Sequence, residues 1–365
     1  MNLPASDPRS SIAPANLVKT CGKCHPGSNE NFVKYDPHAD PHNRVKSPLF
    51  YYTYLFMNLL LVGTFSFFGI HGILWLQRSL VANFRGEFHR KWEEGKWVQR
   101  FDAVQRMTHL VVIISFLGLA ATGLPLKFHN TQWGHWVGAV LGGVEPSRYL
   151  HRVFAIVTIG YFVFHLIHLG SQIMRKRQYH FLFGPESMVP RPKDLLDFWN
   201  NLRWFFYRGP QPKLDRFTYW EKFDYFAVFW GVPIIGLSGL MLWFPTFFAR
   251  FLPGNGLNVA MVVHADEALL AVGFIFTFHF FHTHLRPESY PIDLVIFTGK
   301  MPLEKFKEER PEEYQRLVSE GKLDSILVEA PSPALIRTCR LFGFSALAVG
   351  LFLVVMIYLT LIVGK

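Results

Sequence analysis

Apolar residues are gathered into runs long enough to cross a lipid bilayer. The six longest runs cover residues 49–77, 102–125, 148–174, 223–249, 257–284 and 336–363. The hydrocarbon core of a bilayer is ~30 Å thick, and about 20 consecutive apolar residues in a helix span it. The pattern therefore predicts an all-α integral membrane protein, with about six transmembrane helices that form a bundle.

Polar stretches divide the chain into four predicted parts. These are a tail at 1–48, a five-helix transmembrane core at 49–285, a segment at 286–335 and a last transmembrane helix at 336–365. The tail is too short to bury a core of its own, so we expect it to dock on another protein. The charged stretch 301–330 predicts a solvated surface helix, with a docking site for a partner as the alternative.

The pentapeptide Cys21-Gly22-Lys23-Cys24-His25 gives the tail its chemistry. Two cysteines at this spacing form thioethers to the vinyl groups of haem, and the adjacent histidine takes one axial position on the iron. A zinc site needs a second pair of ligands, and Cys339 is the only other cysteine. The motif therefore predicts one covalently attached c-type haem.

A second axial ligand for this haem is expected a short distance downstream. The sequence Tyr35-Asp36-Pro37-His38-Ala39-Asp40-Pro41-His42 offers either His38 or His42. Its prolines favour an extended, irregular path, which would let a short segment wrap around the haem.

The distribution of basic residues predicts the orientation in the membrane. Haem is attached to this motif outside the bacterial cytoplasm, so the tail should be periplasmic. The loops then predicted to be cytoplasmic hold six Lys and Arg at 78–100, ten at 175–222 and nine at 286–340, whereas the outer loops hold two at 126–148 and one at 249–258. This agrees with the positive-inside rule and predicts a multi-pass protein of the bacterial cytoplasmic membrane. It also explains the net charge of +10 through contact with anionic lipid, without nucleic acid.

Histidines inside the apolar runs fall into two layers. His151 and His264 lie near the outer ends of the third and fifth runs, and a haem bridging them is geometrically reasonable. His165 and His279 lie fourteen and fifteen residues further along the same helices, which is about 21–22 Å deeper at 1.5 Å per residue. His109, on the oppositely directed second helix, reaches the same inner layer. The layers predict two b-type haems, the inner one held by His279 with either His109 or His165.

Other residues in the spans admit further interpretations. His71 reaches the inner layer, and a third b-type haem would use it together with a spare inner histidine. Four glycines allow a flat macrocycle or another backbone to approach closely; these are Gly231, Gly236, Gly239 and Gly273.

Several motifs resemble the di-haem membrane cytochrome b family that includes the gamma subunits of formate dehydrogenase, and more closely its menaquinol-linked b/c branch. The motifs are Gln105-Arg106-Met107-Thr108-His109, Arg148-Tyr149-Leu150-His151-Arg152, the segment 258–268 around His264, the segment 279–287 around His279, and the loop 291–299. The resemblance implies that His109 and His279 bind the inner haem and that His151 and His264 bind the outer one. The chain departs from that pattern in the spacing of His264 and His279, which is fifteen residues instead of fourteen.

The resemblance also implies a quinone-linked electron-transfer subunit, with menaquinone or another quinone reacting near the inner haem. Proton-exchanging candidates for that quinone site are His71, His168, His282 and His284. Arg106 and Arg286 are candidates for pairing with haem propionates. Relatives of the b/c branch carry several c-type haems, whereas this chain has one motif, so a periplasmic multi-haem c-type cytochrome or oxidoreductase subunit is the expected partner. The competing class is a transporter or proton channel with an intramembrane histidine pathway.

Overall fold

The computed structural model describes residues 3–86, 95–175 and 177–363. Within these ranges, six helices are long and apolar enough to cross a membrane, which confirms the predicted all-α membrane fold. They are α2 (Pro48–Phe84), α3 (Ala103–Lys127), α5 (Val144–Met174), α8 (Tyr219–Trp243), α10 (Asn255–Phe274, continued to Leu285) and α14 (Pro333–Val363).

Shorter elements connect the membrane helices. The helices are α1 (Leu17–Gly22), α4 (Gln132–Val140), α6 (His180–Phe183), α7 (Pro192–Phe205), α9 (Pro245–Phe248), α11 (Val295–Thr298), α12 (Leu303–Glu309) and α13 (Pro311–Ser319), with single 3₁₀ turns at Pro14–Asn16, Phe32–Lys34 and Leu323–Ile326. The strands are β1 (Trp97–Gln99), β2 (Lys300–Pro302) and β3 (Leu327–Val328). Part of the predicted loop 78–100, residues 87–94, lies outside the described residues.

The end of α10 is wound more widely than an α-helix. Residues Ile275–His279 and Phe281–Leu285 form π-helical segments. A π turn holds one residue more than an α turn, and such segments concentrate at functional sites. The first of them lies between His264 and His279, whose spacing is fifteen residues, and ends at His279.

Two compact units make up the chain. The first contains Met1–Ser66 and Gly231–Ala271, and the second contains Phe67–Trp230 and Val272–Lys365. The tail and the chain around His264 belong to the first unit. The other histidines predicted in the membrane belong to the second.

A small polar layer in the second unit surrounds a three-stranded antiparallel sheet of order β2-β1-β3. Val98 of β1 is buried against Met301, Phe306 and Leu317. The helical character predicted for 301–330 is confirmed, but the expectation of a solvated helix is wrong for one face: α12 and α13 are amphipathic and pack their inner faces on the chain's own sheet.

Buried ion pairs join this layer to the ends of the membrane helices. Glu313 of α13 accepts from Arg100 and, at 2.9 Å, from Arg216. Arg310 binds the carboxylate of Glu221, at the start of α8, with one nitrogen–oxygen distance of 2.8 Å. These contacts explain why charged side chains of α13 and its neighbouring loop are buried.

The pair between Lys305 and Asp293 adds a buried charge contact of 2.5 Å in the same layer. Burial opposes the charge on Lys305, but the adjacent Asp293 and Glu309 carboxylates outweigh it and raise the pKa of Lys305 to about 12. Burial also opposes the charge on Asp293, and Lys305 nevertheless holds the pKa of Asp293 below its ordinary value. Both groups therefore carry their charge at neutral pH.

The tail packs on the connection between α8 and α10, within the first unit. Phe32 is buried against Ala249 and Leu257, with Cys21 at the edge of this cluster. The backbone N–H of Gly254 donates to the carbonyl of Asn31 at 2.7 Å. A docking surface for the tail is thus supplied by this chain, where the sequence suggested another protein.

Asn258, buried on α10, holds the tail through both ends of its amide. Its Nδ2 donates to the carbonyl of Asp36 at 2.7 Å, and its Oδ1 accepts from the backbone N–H of Asp36 at 3.1 Å. Replacing Asn258 with leucine would remove both bonds and leave two backbone groups unsatisfied. We expect the tail contact to weaken by about 1–3 kcal/mol, measured as faster hydrogen exchange across residues 31–40. Asn255→Leu, at an exposed position one turn earlier, is the control and should exchange like the unmodified chain.

Candidate functional site

The motif Cys21-Gly22-Lys23-Cys24-His25 begins in the last turn of α1. The backbone N–H of His25 donates to the carbonyl of Cys21 at 2.9 Å, which continues the helical turn. Residues i, i+3 and i+4 of such a turn lie on one side, so Cys21, Cys24 and His25 are presented together. Cys24 is exposed and Cys21 is half-buried, and the ring of His25 lies 5.0 Å from that of Phe32. This arrangement fits two thioether bonds and one axial ligand on a single haem.

The two histidines downstream of the motif, His38 and His42, lie in turns of the same kind. The backbone N–H of His38 donates to Oδ1 of Asp36 at 2.9 Å, and that of His42 donates to Oδ1 of Asp40 at 2.8 Å. Each Asp-Pro-His sequence therefore forms an Asx turn, and both imidazoles are exposed. His38 and His42 remain equivalent candidates for the second axial position.

His151 on α5 is oriented by two adjacent residues of α3. Its Nδ1 lies 3.0 Å from the hydroxyl of Thr122. That hydroxyl donates its own proton to the carbonyl of Gly118 at 2.6 Å, so it accepts from Nδ1 of the histidine. Gly123 makes room for the ring, because a Cβ there would stand 3.0 Å from its Cε1. The contact at Nδ1 and the space left by Gly123 together fix the orientation of this ring, as a partner at one imidazole nitrogen does in metal-binding histidines.

Thr122, the hydroxyl partner of His151, also lines an apolar cavity of about 430 Å³. Its walls come from α3 and α5, with contributions from Leu141 and from Val349 of α14. The apolar surface of a flat macrocycle or a hydrocarbon chain suits such a lining.

His264 on α10 repeats the arrangement of His151 in the first unit. Its Nδ1 lies 3.0 Å from the carbonyl oxygen of Ile235 and 3.3 Å from the hydroxyl of Ser238. A carbonyl only accepts, so Nδ1 carries the proton. A Cβ on Gly239 would stand 3.0 Å from Cε1 of this ring. A hydroxyl residue followed by glycine thus faces both His151 and His264.

Sequence reasoning named Gly239 as a point of close approach but missed its hydroxyl neighbour Ser238 and the matching pair Thr122-Gly123. A repeated hydroxyl–glycine dipeptide, 25 to 29 residues before each histidine, is the signal that identifies them.

His279 has a carboxylate partner. Its Nδ1 lies 2.9 Å from Oδ2 of Asp224 on α8. A carboxylate bonded to one imidazole nitrogen fixes the ring and strengthens the other nitrogen as a metal ligand. His109 lies on α3 and is half-buried. The capping box of Asp102 and Gln105 fixes the start of α3 ahead of His109.

His165 is engaged elsewhere. Its Nε2 lies 2.8 Å from the hydroxyl of Tyr225, so the nitrogen that would bind iron already has a partner.

The quinone-site candidates do not form one cluster. His71 and His282 lie together, with ring centroids 5.4 Å apart. His284 stacks on Phe297 at 6.3 Å, and His168 bonds to Gln172 at 3.2 Å. The structure therefore brings together only the first two.

The His71 pair lies among polar and aromatic partners. Nε2 of His71 is 2.6 Å from the hydroxyl of Tyr219, which accepts from Asn201 at 2.8 Å. This leaves the tyrosine to donate to His71. His282 stacks on Trp220, and neither of its ring nitrogens has a hydrogen-bond partner in the described part of the chain. A buried, unsatisfied imidazole marks a place for a further polar group.

Arg106 and Arg286, the two predicted partners of haem propionates, make different contacts. Arg106 donates from Nη1 to the carbonyls of Phe297 and Thr298 at 3.4 and 3.3 Å. The guanidinium of Arg286 lies 5.0 Å from the ring centre of Trp75. Across the described ranges, no group of three or more His, Cys, Asp and Glu side chains is arranged to hold a metal ion by itself.

No family model matches this chain. It is similar to the cytochrome b556(Fdn) subunit of the nitrate-inducible formate dehydrogenase of Escherichia coli strain K12, with 20% identity over 182 residues, which are 49% of this chain and 74% of the relative. The same subunit of Shigella flexneri matches to the same extent. Together with the six membrane helices, this likeness supports a multi-pass membrane protein of the cytochrome b kind.

Proposed function

We propose that this chain is a membrane cytochrome b/c subunit that passes electrons between the quinone pool and a periplasmic c-type cytochrome or oxidoreductase partner. One c-type haem would be attached to Cys21 and Cys24, and two b-type haems would be bound in the membrane. The observation that carries the proposal is the way three histidines are held: in His151, His264 and His279, Nδ1 lies within hydrogen-bonding distance of a residue on a neighbouring helix. Such a contact orients an imidazole and supports metal binding by its other nitrogen.

The residues fit haem in donor type and in shape. Imidazole nitrogen is the usual axial ligand of b-type haem, and haem iron supplies one-electron transfer when bound. Gly123 and Gly239 clear space beside the two outer rings. The proposed inner ligands are His109 and His279, while His151 and His264 remain the predicted outer ligands.

His71 is better suited to proton exchange than to a third haem, because its Nε2 is bonded to Tyr219. A quinone changes its protonation when it changes its redox state, so its headgroup needs titratable neighbours. In the proposal, His282 supplies a hydrogen bond to that headgroup, and His71 with Tyr219 holds the exchanged proton. Menaquinone or another quinone would react here, beside the inner haem.

The basic residues of the loops support the orientation. With the tail in the periplasm, the loops richest in Lys and Arg face the cytoplasm. The proposal therefore places the protein in the bacterial cytoplasmic membrane, with the c-type haem on the side of its partner and quinone exchange toward the cytoplasmic side.

A pyridine haemochrome spectrum of the purified chain tests the haem content. We expect two b-type haems and one c-type haem per chain. Three b-type haems would contradict the role given to His71, and a chain without b-type haem would overturn the electron-transfer function. Oxidation of the b-type haems by an added quinone, followed in a stopped-flow spectrometer, then tests the quinone reaction. His71→Leu should slow that oxidation without changing the haem count.

A further inference from the structure

Helix α7 has its polar and apolar faces reversed relative to a helix on a water-exposed surface. Three apolar side chains point outward: Leu195 is 74% exposed, Leu196 57% and Trp199 60%. At 100° per residue these positions, together with that of Phe206, fall within one third of the helix circumference. Exposure of so many large apolar groups on one face calls for a partner surface.

The opposite face of α7 is buried and carries both polar and aromatic side chains. Asp194 accepts from Lys222 at 2.8 Å, and Asn201 donates to Tyr219 at 2.8 Å. Trp204 and Phe205 complete this face by packing in a buried cluster with Trp75. These contacts attach α7 to α8 and α2, so it cannot rotate to bury its leucines without breaking them.

The exposed face of α7 is continuous with a lipid-facing surface. Phe198 of α7 stacks on Phe67 of α2 at 5.8 Å, and Phe67 is half exposed. From there the outer side of α2 continues with Ile70 and Ile73, which are 62% and 69% exposed within an apolar span. The hydrocarbon that covers those residues in a membrane therefore borders α7.

The charges around this face suit lipid headgroups. Arg203 lies among the exposed apolar residues of α7, and Arg208 follows just beyond its end; both are exposed. Tryptophan and arginine are typical of the boundary between acyl chains and phosphate. A protein partner would have to cover the face from the lipid side of α2.

We propose that α7 is an interfacial helix, with Leu195, Leu196 and Trp199 inserted into the bilayer leaflet on the side where α5 ends and α8 begins. The occupant of the face is phospholipid: acyl chains contact the apolar residues, and phosphate groups contact Arg203 and Arg208. Because Asn201 on its inner face donates to Tyr219, the hydroxyl partner of His71, this lipid-supported helix is also connected to His71. The placement does not depend on which redox reaction the protein carries out.

Spin labels in lipid nanodiscs test the placement directly. In a Cys339→Ser background, nitroxides are attached at Leu195→Cys and Trp199→Cys, and the signal of the background chain is subtracted. Collision with oxygen, which concentrates in the bilayer, is compared with collision with a water-soluble nickel chelate. We expect the oxygen-to-nickel ratio at both positions to be severalfold higher than at Ser319→Cys, on the exposed side of α13, and to approach that at Ile70→Cys.

A ratio equal to that of Ser319→Cys would overturn the proposal, because α7 would then lie in water. Labels shielded from both reagents would also overturn it, since a protein partner would then cover the face. An unmodified chain provides a check that needs no variant: a phospholipid with a photoreactive diazirine in its acyl chain should label the peptide that contains residues 195–199. Absence of label there, with label on α2, would contradict the insertion.

Discussion

Replacing His279 with leucine is expected to remove one b-type haem from each chain. Leucine cannot bind iron, and the inner haem would keep only His109 as a protein ligand. The ratio of b-type to c-type haem in the haemochrome spectrum should fall from two to one, and one b-type component should disappear from a redox titration. Electron transfer between quinone and the c-type haem should stop, because the remaining path lacks its inner step.

His165→Leu is the matched control. This histidine also lies in a membrane helix at the inner level, but its Nε2 is bonded to Tyr225, so both b-type haems should remain. Loss of one b-type haem from His165→Leu, as well as from His279→Leu, would make His165 and not His109 the partner of His279. Asp224→Asn tests the carboxylate that is bonded to Nδ1 of His279, while leaving the proposed ligand His279 in place. The haem should still bind, but about 10–100-fold more weakly, because that carboxylate is lost.

The membrane helices and their histidines could be predicted because both follow from local sequence. A run of apolar residues long enough to span a bilayer has few other stable conformations, and the six predicted runs each correspond to one observed helix. The residues that orient the histidines were harder to recognise. Nothing in the local sequence distinguishes these residues, which are Thr122, Ser238 and Asp224. Each contacts an imidazole that belongs to another helix, so the contact depends on how the helices pack.

Burial that depends on charge pairing could not be predicted. The stretch 301–330 was expected to be solvated because its charges are dense, but Glu313 is buried between two arginines that are distant in sequence. Charge pairing also explains the orientation of α7, since Asp194 is buried because it forms an ion pair with Lys222. The π-helical end of α10 left just one trace in the sequence, the spacing of fifteen residues between His264 and His279.

Glu313→Ala is expected to destabilise the polar layer by about 3–5 kcal/mol, the usual penalty for leaving a buried charge without its partner. Burial already lowers the pKa of Arg100 to about 10 although Glu313 favours its charged form. Without that carboxylate the pKa of Arg100 would fall further, yet the guanidinium would still be protonated at neutral pH. The variant thus leaves a charge inside the layer, and Arg216 loses the same partner.

Glu312→Ala, one residue earlier, is the matched control. Glu312 pairs with Lys193 at 3.2 Å, and both side chains are about one third exposed, so its loss should change stability by less than about 1 kcal/mol. Hydrogen exchange of β1, α12 and α13 in the detergent-solubilised protein measures both variants without unfolding the membrane helices. Equal exchange in the two variants would mean that water or a local rearrangement compensates Arg100. Selective opening in Glu313→Ala would show that one carboxylate holds the layer against the start of α3, the helix that carries His109.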